Sequence, residues 1–108
     1  MSLIVIYTTY PDKDSAERIA HMLLSERLVA CANTYAIGSS YWWQGAIVQS
    51  KEWVAIFKSI DEKLPAITSL IETHHPHEVP CIVSWAAEAN PAYLNWVNNE
   101  TKFESEDN

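Results

Sequence analysis

Three imidazoles stand close together in the chain, at His74, His75 and His77, and a thiol follows at Cys81. Imidazole nitrogen suits copper, zinc and nickel, and three such side chains in one short segment make it the densest metal-binding chemistry in the sequence. The spacing is not a zinc motif. Neighbouring residues on a helix point about 100° apart, so His74 and His75 share one ion only if a helix ends between them. His75 and His77 can converge around Pro76. The same histidines also suit a helix C-terminus, where unpaired carbonyls favour positive charge. Cys81 either adds a thiol beside His77 or packs as an inert buried cysteine.

Other side chains are candidates for a cleft or an interface. Tyr41, Trp42 and Trp43 stand immediately before Gln44-Gly45, and such a cluster either stacks on a ligand or anchors a contact between subunits. Glu52 and Lys58 interrupt an apolar run, and charges there have to face solvent, a cleft or a partner. They can meet at a subunit boundary, binding each other or a small polar ligand. Cys31 fits a packed strand face, and His21 lies opposite the apolar stripe of its helix. The chain has no Gly-rich phosphate loop, nucleophile elbow or paired catalytic carboxylate motif, which weakens an enzymatic reading.

The elements that position these residues follow from periodicity. Leu3 to Tyr7 is a continuous β-favouring run, expected as the central strand. Asp14 and Glu17 form a candidate capping box for a helix to about Arg27, with Ala16, Ile19, Ala20, Leu23 and Leu24 on its buried stripe. Val29 to Trp43 and Ala46 to Ser59 read as two long strands joined at Gln44-Gly45. Asp61 is a candidate cap for a second helix, which tolerates Pro65 in its first turn, buries Leu64, Ile67, Leu70 and Ile71, and ends near His75. Val79 to Ala87 is a further strand, with Pro80 indicating an edge position. Asn90-Pro91 opens a last helix through Trp96 and Val97. The order β-α-β-β-α-β plus a helix is the ferredoxin-like order.

Composition bounds the function. The chain has 108 residues, 48% of them hydrophobic and only two glycine, as expected for a single domain spanning 1–108 with one packed core. A formal net charge of -7 argues against nucleic acid, which is bound by clustered Lys and Arg. Residues 100–108 read as a solvated acidic tail. The opening residues show neither a positive leader nor a membrane-length apolar run, so a cytoplasmic protein is expected. In that compartment Cys31 and Cys81 remain thiols. Two helices covering one sheet face leave the other apolar face and the Tyr41, Trp42 and Trp43 tip open, and oligomerisation is the natural remedy.

Five segments carry a family likeness: Thr9-Tyr10-Pro11-Asp12, Ala30-Cys31-Ala32-Asn33, Ser40-Tyr41-Trp42-Trp43-Gln44-Gly45, His74-His75-Pro76-His77-Glu78-Val79-Pro80 and Tyr93-Leu94-Asn95-Trp96. Through them the sequence resembles the CutA family of divalent-cation-tolerance proteins from Ile4 to about Trp96. The resemblance implies an α+β ferredoxin-like fold assembled as a homotrimer, with clefts between neighbours and a link to divalent metals, copper especially. It favours His74 and His75 as metal ligands. Three departures alter the cleft chemistry: Thr8 stands where some members carry cysteine, His77 where tyrosine is usual, and Cys81 where glutamate is common.

The expectation is therefore a copper-binding homotrimer and not an enzyme, with His74, His75 and His77 as metal ligands. Tyr41, Trp43, Glu52 and Lys58 are expected at a cleft or interface, with no organic cofactor, nucleic acid or membrane. The alternative is a trimeric scaffold similar to the PII signalling proteins, binding a small ligand or a protein in clefts between subunits.

Overall fold

The computed structural model describes residues 2–102. Strand β1 (Leu3–Tyr10) lies inside the sheet between β3 (Ala46–Ile60) and β4 (Ile82–Ala87), with β2 (Cys31–Trp43) on the outer side of β3. Every neighbouring pair is antiparallel. Helices α1 (Lys13–Ser25), α2 (Leu64–His74) and α3 (Pro91–Glu100) complete the chain. This is the ferredoxin-like α+β order expected from the sequence, with β1 interior and β4 at an edge.

Alternation along the strands sorts the sheet into two faces. Ile4, Ile6 and Tyr10 of β1 and Ala55 and Phe57 of β3 join Ile19, Leu23, Ile67 and Ile71 of the first two helices in the main core. The opposite face is covered at one end only, where Val97 of α3 packs on Leu3 and Ile60. Beyond α3, Tyr35, Val83 and Trp85 remain exposed. The open apolar face is thus real but smaller than periodicity implies, because α3 closes part of it.

The β2–β3 hairpin outruns the sheet. Tyr10 is paired with Trp53 at the end of β1, so from Ile37 and Glu52 to the Trp43 and Ala46 pair the hairpin is a two-stranded ribbon. Gln44 (φ 50) and Gly45 (φ 82) take the left-handed conformations of a tight hairpin turn. The ribbon draws the molecule out to 53 × 26 × 21 Å. Two strands alone are marginal in water, and the exposed Trp42 and Ile47 at the tip add apolar surface to them.

Several boundaries differ from the sequence reading. The α1 cap is Asp12, whose carboxylate accepts the Ser15 N–H at 2.8 Å, and Asp14 lies inside the first turn. The cap moves because β1 runs on to bury Tyr10, which brings the turn to Pro11. α1 stops at Ser25, and Arg27 adopts φ 58 as the Leu28 N–H bonds back to the Leu23 carbonyl at 3.0 Å. Asp61 does not cap α2; it opens a 3₁₀ turn, and its Oδ1 accepts the Ser2 N–H at 3.0 Å. The second strand begins at Cys31 and the last at Ile82. Glu100, read as tail, closes α3 and pairs with Arg27 at 3.0 Å; residues 103–108 of that acidic segment lie outside the described residues.

Candidate functional site

The histidine segment leaves the end of α2 and crosses back to β1. His74 is exposed at the last turn of the helix. His75 is the first residue beyond it, extended at φ -71 and ψ 135, and its ring stacks on Tyr10 with centroids 4.7 Å apart. The His77 N–H donates to His75 Nδ1 at 2.9 Å. That nitrogen is therefore unprotonated, and the proton sits on Nε2, which donates to the Thr9 carbonyl at 2.7 Å. Neither nitrogen of His75 is free to coordinate while these bonds hold. Burial holds its imidazole below the usual histidine range, opposed by the Thr9 carbonyl, reinforced by the nearby His77 and opposed by Glu52.

His77 lies 5.1 Å from His75, ring to ring, and lines a cleft of about 740 Å³ between the loop after α2 and the base of the ribbon. Glu78, Val79 and Cys81 form the same wall, Tyr7 and Thr9 lie along β1, and Ser39, Tyr41, Trp43 and Glu52 come from the ribbon. Glu52 is only 8% exposed, and its carboxylate makes no hydrogen bond or ion pair with any described residue. Burial pushes the Tyr7 phenol up, and the proximity of Tyr35, Cys81 and Glu52 adds to this.

The expected site residues therefore divide. Tyr41, Trp43, Glu52, His77 and Cys81 share the cleft, while His74 faces solvent and His75 fastens the loop. Lys58 is elsewhere: its Nζ donates to Asn33 Oδ1 at 2.8 Å. Six residues on one strand separate it from Glu52 by about 20 Å, so the two do not meet within the chain. Cys31 is half-buried rather than packed in the core, with its Sγ 3.7 Å from the same Asn33 oxygen. Thr8 is fully buried on the helix side and donates to the Ala55 carbonyl at 2.9 Å, so it cannot reach the cleft. Tyr7, Thr9, Ser39 and Glu78 were not singled out. The alternation that sends Ile6 inward would place Tyr7 and Thr9 on the opposite face.

A divalent ion meets suitable donors here, an imidazole, a thiol and carboxylates. Among the described residues no three His, Cys, Asp or Glu side chains are grouped closely enough to hold one. No helix among them is long and apolar enough to cross a membrane.

Fold and cleft together define a ferredoxin-like α+β protein with a cleft at the base of an extended hairpin. Residues 4–100 match the profile of the CutA1 divalent ion tolerance protein family. The divalent-cation tolerance protein CutA of Thermotoga maritima is 42% identical over 96 residues, covering 88% of this chain and 95% of that protein. A CutA1 crystal structure from Pyrococcus horikoshii superposes with a TM-score of 0.90 at 40% identity, covering 93% of this chain and 99% of that one. The divalent ion tolerance protein CutA1 of Ehrlichia chaffeensis gives 0.91 at 33% identity, covering 94% and 97%. The chain belongs to the CutA1 divalent ion tolerance family.

Proposed function

We propose that this protein is a divalent-cation-binding homotrimer serving metal tolerance, and that copper is the ion it takes. The observation that carries the reading is the cleft, where His77, Cys81, Glu78 and the unpaired, buried Glu52 line one space. Imidazole and thiolate are the donors copper prefers, and carboxylates supply a negative field. Since no three such donors are grouped among the described residues of one chain, the remaining ligands come from a neighbouring copy. His74 stays available from the solvent side. His75 acts by holding His77 in place. The role is binding rather than catalysis, in a reducing compartment such as the cytoplasm where the free thiols Cys31 and Cys81 persist.

Assembly is supported by the open sheet face at Tyr35, Val83 and Trp85 and by the ribbon tip at Trp42 and Ile47, which a second and third copy would cover. The family resemblance supplies the threefold arrangement. Calorimetric titration with copper(II) near neutral pH tests the metal reading. Saturable binding should weaken at least about tenfold in His77→Ala and in Cys81→Ser. Unchanged affinity in both variants removes the cleft as the metal site.

A further inference from the structure

Of the two thiols in the chain, Cys81 lines the cleft and Cys31 does not. Cys31 has close company of its own. It pairs with Lys58, residue against residue, between β2 and β3, so the two side chains rise on the same sheet face with β-carbons about 5 Å apart. Asn33 stands two positions further along β2 on that face. Its Oδ1 accepts from Lys58 Nζ at 2.8 Å and lies 3.7 Å from Cys31 Sγ. One carboxamide oxygen therefore holds an amine and a thiol side by side.

Helix α3 borders the group. Tyr93 packs with the small core of Leu3, Ile60 and Val97; burial pushes its phenol up, and the neighbouring Cys31 thiol adds to this. Cys31 is only half-buried, which leaves its sulfur within reach of a molecule as small as hydrogen peroxide. A thiolate attacks peroxide to give a sulfenic acid, whose electrophilic sulfur is then captured by a nearby thiol or nitrogen. The thiol route is closed within the chain. Cys81 stands just before β4, three strands away from β2 at about 4.8 Å per strand. Of the two side-chain nitrogens in the group, that of the Asn33 amide has its lone pair tied up in resonance, so the Lys58 amine is the nucleophile.

We propose that Cys31 and Lys58 form a peroxide-responsive pair that closes a reversible sulfenamide, an S–N bond, between adjacent strands. In the first step the Cys31 sulfur takes one oxygen from hydrogen peroxide; the O–O bond breaks, the thiol becomes a sulfenic acid and one water leaves. In the second the Lys58 amine, having released its ammonium proton to solvent, attacks that sulfur. The S–O bond breaks, and the departing hydroxide leaves with the amine's proton as a second water. Peroxide is the sole oxidant, and the protein loses two hydrogens. Two equivalents of a cellular thiol reverse the change, the first releasing the amine as a mixed disulfide forms and the second freeing Cys31. Capture by Lys58 keeps the sulfur from the irreversible sulfinic and sulfonic steps. Both partners belong to one chain, so the bond needs a path for peroxide and not an open sheet face. The inference goes beyond the copper reading and uses none of its cleft residues, so either can fail alone.

The test uses the full chain carrying Cys81→Ser, which leaves Cys31 as its only thiol, treated with a small excess of hydrogen peroxide at neutral pH and read by intact and peptide mass spectrometry. A loss of about 2 Da is expected, with the Cys31 peptide joined to the Lys58 peptide and the original mass restored by dithiothreitol. Adding Lys58→Arg keeps a cation beside Asn33 but removes the amine. The 2 Da loss should then vanish, and a gain of about 16 or 32 Da at Cys31 should replace it. The same peptide mapping on the unaltered chain keeps the test decisive if a variant does not fold. Absence of the joined peptide while Cys31 gains oxygen overturns the proposal. So does a Cys31 that peroxide leaves untouched, or a 2 Da loss that persists in Lys58→Arg.

Discussion

His75 and Thr9 are joined across 66 positions of sequence by a 2.7 Å hydrogen bond from the imidazole Nε2–H to the backbone carbonyl. That bond fixes the tautomer, and the tautomer lets Nδ1 accept the His77 N–H. One ring thus spans β1 and the loop that forms a wall of the cleft.

Protonation of that ring must break the bond at Nδ1, and burial already holds its pKa below 6.5. The unfolded imidazole takes its proton at the higher pH, so the unfolded state binds more protons in the window below about pH 6.5. Stability from this group is complete above that value and declines as pH falls through the window toward the folded pKa. Urea midpoints measured between about pH 5 and 7.5 should show the decline in the native chain and a flatter profile in His75→Gln. Identical profiles would show that His75 does not fasten the loop.

Tyr10 is fully buried, and among the described residues its hydroxyl lies near Thr8 without a well-formed hydrogen bond. The neighbouring Thr8 hydroxyl is committed to the Ala55 carbonyl at 2.9 Å. Burial pushes the phenol up to about 12, and Thr8 offsets this only in part. Tyr10→Phe removes an unsatisfied polar atom and keeps the ring under His75. Its stability should stay within about 1 kcal/mol of the native value, shifted toward greater stability. A loss above about 2 kcal/mol in urea denaturation would mean that the hydroxyl has a partner.

The assembly can be tested on the open face. Light scattering should give three times the 12.3 kDa chain mass. Val83→Lys with Trp85→Lys should shift it toward the monomer, since both side chains are exposed on β4 outside the intramolecular core. A monomeric native chain would refute the trimer.

Much of the framework was readable from local pattern. The Leu3 to Tyr7 run, the Gln44-Gly45 turn and the Asn90-Pro91 helix start each depend on neighbours in sequence, and each is observed. The Asp12 cap was misplaced because the end of β1 is set by burial of Tyr10 beneath α2 and His75, a long-range contact. The cleft was half visible. Tyr41, Trp43, Glu52, His77 and Cys81 stand out as residue types, but Tyr7 and Thr9 enter it only because β1 pairs with both β3 and β4. The role of His75 depends on the Thr9 carbonyl, a backbone atom that no side-chain pattern reports.

Copper-soaked crystals measured at the copper absorption edge test the central claim most directly. An anomalous peak is predicted in the cleft within about 2.0–2.4 Å of a His77 nitrogen or the Cys81 sulfur, with His75 still bonded to Thr9. A peak only at His74, or at a His75 ring released from Thr9, would contradict the account.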